Sequence, residues 1–184
     1  MPHDALHDPE ALAVDEPRGV AVEWNVVVLQ GQGRTKEAHE TVATLSGALG
    51  ASLHAARDDL AARVATVVAV LFDEWASRAG GEREPAETSV AVIDAVVRRV
   101  QESTIPDAVP WKRFHAGGGD WVTLVRLPLD SVVGAWREEF LAAREAPRTD
   151  EVAATVDAIV RRVRSLSPDE LSRVLSEAAP ADSR

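Results

Sequence analysis

A few groups of residues have types and spacings that bear on chemistry. Gly31-Gln32-Gly33-Arg34-Thr35-Lys36 follows an apolar run and precedes a helical pattern, the setting in which glycine amides and a helix N-terminus cradle a phosphate. The spacing is not that of a Walker loop, the third glycine of a dinucleotide fingerprint is missing, and no acidic strand end follows about twenty residues on. A plain strand-to-helix turn is the expectation. His3 and His7 stand four apart beside Asp4 and Asp8, a spacing suited to a metal on a helix face, but Pro2 and Pro9 oppose a helix there. His39, His54 and His115 share no motif. Asp58-Asp59 and Glu138-Glu139 are neighbouring carboxylates, and adjacent helix positions do not face one another, so neither pair makes an acid–base dyad. Serines and threonines are plentiful without a Gly-x-Ser-x-Gly elbow. The sequence therefore names no catalytic residue, no metal ligand and no cofactor.

The aromatic residues carry a different signal. The chain has five tryptophans and no tyrosine. Trp24, Trp75 and Trp136 sit at apolar phases of their elements and are expected in the core. Trp111 and Trp121 flank a hairpin, where they are placed to stack across strands. Trp111, Phe114 and Trp121 form the candidate interface, because tryptophans buried on binding often dominate interface energy.

The elements that must position these residues follow from periodicity. Val20, Val22, Trp24, Val26 and Val28 alternate with Ala21, Glu23, Asn25, Val27 and Leu29, which predicts one strand. Residues 30–35 read as its exit turn. Leu49, Leu53, Ala56, Leu60, Val64, Val67, Leu71 and Trp75 recur at steps of three and four, predicting a long helix over residues 36–77 with Gly47 and Gly50 as the place for a bend or break. Val90, Ile93, Val96, Val97 and Val100 mark a second helix. Pro106 and Pro110 disfavour helix, so residues 111–115 read as an edge strand, joined through Gly117-Gly118-Gly119 to a second strand over residues 121–127. A helix bearing Val132, Val133, Trp136, Phe140 and Leu141 comes next. Val152, Val156, Ile159, Val163 and Leu166 define another, and Ser167-Pro168-Asp169-Glu170 signals the start of a short final one.

The order of strand, long helix, helix, β-hairpin, helix and C-terminal helical pair predicts an α+β fold. A small three-stranded sheet is packed by helices on one face. The expected organisation is a flexible acidic tail over residues 1–18, an α+β domain over 19–145, a C-terminal helical extension over 150–178 and a frayed tail over 179–184.

At 184 residues the chain suffices for one core without staples. Its net charge of −10 and the lack of a basic stripe speak against nucleic acid, which needs concentrated Lys and Arg. With no cysteine, disulfides, thiolate catalysis and Cys-containing zinc sites are excluded. No apolar window is long enough for a transmembrane segment. Met1-Pro2-His3-Asp4 has an acid where a signal peptide carries a basic region, so the expected compartment is cytoplasmic as the chain stands, and the cell envelope if a leader has been removed.

Val26-Val27-Val28-Leu29-Gln30-Gly31-Gln32-Gly33, the helix Ala55-Ala56-Arg57-Asp58-Asp59-Leu60-Ala61-Ala62-Arg63-Val64 and the strand Trp121-Val122-Thr123-Leu124-Val125-Arg126-Leu127, taken in this order, resemble the LPP20-like lipoprotein domain over about residues 20–143. The resemblance implies a noncatalytic cell-envelope module that packs against protein partners, with no catalytic residues to carry over. The chain departs from that family in having neither a leader nor a lipidated cysteine. The leading expectation is thus a protein-interaction or assembly module that works through its hairpin edge or an apolar helix face, with a protein partner or self-association as a homo-oligomer. One alternative is a soluble enzyme or small-ligand protein with a pocket between helix and sheet near residues 30–36, from Gln30 to Lys36, and His115. Another is a cytosolic helical adaptor that docks a partner through residues 152–175.

Overall fold

The computed structural model describes residues 20–23, 26–35, 42–79, 89–116, 120–144 and 149–178. Four strands, β1 (Val20–Glu23), β2 (Val26–Thr35), β3 (Val109–Ala116) and β4 (Asp120–Pro128), form one antiparallel sheet in the order β1-β2-β4-β3. Among the described residues the α-helices are α1 (Val42–Ala79), α2 (Val90–Thr104), α3 (Leu129–Ala143), α4 (Asp150–Arg164) and α5 (Pro168–Ala178). The α+β class is as expected, with one strand more than the three expected. The run read as a single strand is two strands, paired from Val20 with Leu29 to Glu23 with Val26. The alternation of β-formers from Val20 to Leu29 gives no sign that the run divides into two paired strands.

The glycines of residues 31–33 are strand, not exit turn. Gly31 pairs with Val125 and Gly33 with Thr123. Their role lies in helix packing. A Cβ on Gly31 would collide with the Ala56 carbonyl and lie 2.7 Å from the Leu60 Cβ, and one on Gly33 would collide with backbone atoms of Ser52 and Ala56. Glycine in the strand and Ser52, Ala55 and Ala56 on the helix let α1 lie directly on β2. Two hydrogen bonds fix that crossing. The hydroxyls of Ser52 and Thr123, both fully buried, lie 2.6 Å apart, and the Gln32 amide donates to the Asp59 carboxylate at 2.9 Å.

α1 runs unbroken through Gly47 and Gly50, where a bend or break was expected, and its 38 residues span about 57 Å at about 1.5 Å each. Tertiary burial from Ser52 onward outweighs the roughly 1 kcal/mol that a helical glycine costs. The first part of α1 covers the sheet through Ala56 and Leu60. Beyond the sheet, Val64, Val67, Val68, Leu71, Phe72 and Trp75 are buried among α2 to α5. The apolar stripe expected to lie open to a partner is therefore occupied by the chain's own helices. Phe140 stacks on Trp136 at 5.2 Å and meets Phe72 and Trp75 edge-on at 5.4 and 4.9 Å. Trp75 and Trp136 are core residues, as expected.

The C-terminal helices belong to the same core. Val152, Val156, Ile159, Val160 and Val163 of α4 and Leu171 of α5 join the cluster that contains Trp136 and Leu60. Local chemistry fixes their ends. Thr149 caps α4, whose first turn carries Asp150 and Glu151 and whose last carries Arg161, Arg162 and Arg164, the signs a helix dipole favours. A reciprocal capping box opens α5: the Ser167 amide and hydroxyl donate to Glu170 at 2.9 and 2.8 Å, and the Glu170 amide donates back to the Ser167 hydroxyl at 3.3 Å. These bonds, first from the Ser167 backbone and then from its side chain, lower the Glu170 pKa. Ion pairs Arg162–Glu74, Arg164–Asp130 and Arg137–Asp157, at 3.0, 2.7 and 2.6 Å, lace α4 to α1 and α3.

Candidate interaction edge

Among the described residues β3 ends the sheet, with β4 as its only strand neighbour. Sequence placed an edge here because proline cannot donate to a ladder on both sides, and Pro110 lies in the strand's first turn of pairing. The register shifts between Pro110 and Lys112, so Trp111 is the extra residue of a β-bulge opposite Val125 and Leu124. The bulge sets Trp111 half-buried against Val122 and Leu124, on the face away from α1. Lys112 Nζ lies 3.9 Å and the Arg126 guanidinium carbon 3.2 Å from the centre of its ring, so the indole carries two cation–π contacts. Arg126 is itself only 8% exposed. Val109, by contrast, is 64% exposed at the start of the strand.

The other candidate residues separate. Register puts Phe114 opposite Val122 and Trp121 opposite His115, whereas Trp111 lies at the far end of the hairpin, so Trp111 and Trp121 are not cross-strand neighbours. The side chains of Phe114, His115 and Trp121 lie outside the described residues, as do His3, His7, Trp24, Lys36 and His39. Sequence reasoning missed Arg126 and the bulge. A register shift has no local signature, and Arg126 reads as an ordinary strand residue until its neighbours across the sheet are known.

The motifs that invited chemistry have structural tasks. At Gly31 and Gly33 the backbone of α1 lies directly against the strand, where a Cβ would collide with it. Asp58 faces His54 at 3.6 Å with both side chains largely exposed, while Asp59 turns toward Gln32 and Arg63. Glu138 and Glu139 line a shallow cleft of about 260 Å³ with Asp107, Ser103, Thr104 and Ser131. Arg99 lies 3.5 Å from Glu139 there. Among the described residues no group of three or more His, Asp or Glu side chains gathers to hold a metal, and no helix is long and apolar enough to cross a membrane. Comparison with protein-family models, with curated proteins and with solved structures finds no match to this chain.

Proposed function

We propose that this protein is a noncatalytic protein-interaction or assembly module, of the LPP20-like kind that its sequence resembles, and that it associates through the β3 edge of its hairpin. The observation that carries this reading is the position of β3: it is the outermost strand, its far side has no strand partner among the described residues, and Trp111 and Val109 flank the open row. Edge strands of this kind accept an added strand through main-chain hydrogen bonds, with side chains supplying selectivity. The opposite edge is less open, since α5 packs beside β1. Association with the cell envelope, and homo-oligomer formation through a surface other than a β3–β3 pairing, belong to the same proposal.

A photo-crosslinking residue placed in turn at Val109 and Arg113, and at exposed control positions Glu102 and Glu177, tests the reading in the native cell. Protein adducts formed at β3 and not at the controls support it. The mass of the adduct tells a second copy from another protein. Equal labelling at all four positions, or none at β3, removes its basis.

A further inference from the structure

We propose that the strand accepted by β3 is an extended segment of a separate protein carrying two consecutive acidic residues; this rests on the reading of β3 as the association edge. Pro110 and the bulge at Trp111 blunt the first part of the strand, which leaves residues 112–116 as the half able to take a regular partner. That half opens with Lys112 and Arg113. Successive strand residues point to opposite faces, so the two cations lie on the two faces of the sheet, with Lys112 on the Trp111 side. Among the described residues neither forms an ion pair, whereas Arg63, Arg78, Arg99, Arg137, Arg162 and Arg164 all do. A chain with a net charge of −10 thus presents at its open sheet edge two adjacent cations that form no ion pair among the described residues, Lys112 lying over the Trp111 ring.

Charge decides what this edge admits. Like charges opposite one another across strands are destabilising, and an antiparallel β3–β3 pair centred on Lys112 and Arg113 would oppose cation to cation. In that register the edge disfavours a second copy's β3 as the occupant. An incoming strand with an Asp-Glu step presents one carboxylate to each face, matching Lys112 on one side and Arg113 on the other. Backbone pairing supplies the attachment and the charges supply the selectivity.

The test uses the full chain and three labelled ten-residue peptides of alternating Thr and Val whose central two residues are Asp-Glu, Asn-Gln or Lys-Lys. Binding is read by fluorescence anisotropy, and its location by amide exchange over residues 109–116. Two charge pairs, one at exposed Arg113 and one at half-buried Lys112, predict that Asp-Glu binds roughly 3- to 10-fold tighter than Asn-Gln at low salt, with the preference falling as salt rises. The double change Lys112→Glu and Arg113→Glu should turn the preference toward Lys-Lys. Arg113→Glu alone, at an exposed site, gives the same direction if the double variant fails to fold. Equal binding of Asp-Glu and Asn-Gln, with slowed β3 exchange, would overturn the acidic requirement and leave the edge reading standing. Acidic binding without slowed β3 exchange would overturn the location. No binding of any peptide, with β3 exchange unchanged, would count against both.

Discussion

Replacing Gly33 with alanine tests how α1 sits on the sheet. The added methyl would meet Ser52 and Ala56 backbone atoms well inside 3.0 Å and the Ala55 carbonyl carbon at 2.8 Å. These atoms belong to a helix backbone, so no side-chain rotation relieves the clash. α1 must retreat by more than an ångström or the strand must deform. Gly33 does not adopt a left-handed φ, so the penalty is steric. Overpacking of this kind costs about 1–3 kcal/mol. Retreat also stretches the buried 2.6 Å contact between Ser52 and Thr123, worth a further 1–3 kcal/mol, roughly, if its partners are left unsatisfied. The smaller entropy of an unfolded alanine chain returns about 0.4–1 kcal/mol, leaving a net loss of about 1–5.5 kcal/mol. Gly50→Ala is the control. A Cβ there meets nothing within 4 Å, so relief of a helical glycine should stabilise by about 0.5–1 kcal/mol. Urea unfolding followed by tryptophan fluorescence should show the Gly33→Ala midpoint falling by roughly 1–2 M while that of Gly50→Ala rises. A Gly33→Ala midpoint equal to or above that of Gly50→Ala would refute the close crossing.

Three further outcomes follow from the packing. Deleting residues 150–184 removes six core side chains, Val152, Val156, Ile159, Val160, Val163 and Leu171, each worth about 1.5–3 kcal/mol. That is comparable with the whole stability of a domain, so near-UV circular dichroism should show lost tertiary structure, and a folded remnant would restore the adaptor alternative. Thr123→Val and Ser52→Ala should each destabilise by about 1–2 kcal/mol while the double change costs less than their sum; additive unfolding energies would deny the buried contact. The lowered pKa of Glu170 means that its contribution is fully present above the usual glutamate value of about 4.3 and is lost as pH falls through the folded value. Melting temperatures of wild type and Glu170→Ala should therefore differ at pH 7 and converge on acidification, and a gap that widens toward low pH would reverse the sign.

Much of the helical layout was legible because burial follows the 3.6-residue period. Val152, Val156, Ile159 and Val163 announce α4 without any knowledge of what covers them. Pro110 likewise announced an edge, since proline removes a ladder donor. Gly31 and Gly33 misled because glycine serves both turns and close packing, and only the position of a helix some twenty residues later separates the two uses. The matching signal was the run of small residues at Ser52, Ala55 and Ala56. Gly47 and Gly50 misled in the opposite direction, because a helical glycine costs only about 1 kcal/mol, less than the burial of the helix beyond Ser52 returns. At the hairpin, aromatic identity was readable from the sequence but geometry was not: the bulge that aims Trp111 at Arg126 exists only in the pairing of two strands.

The association edge is tested most directly by site-specific crosslinking in the native cell from Val109 and Arg113 of β3, set against the exposed helical controls Glu102 and Glu177. The account predicts protein adducts confined to the two β3 positions. Adducts distributed evenly over all four, or absent from β3, would contradict it.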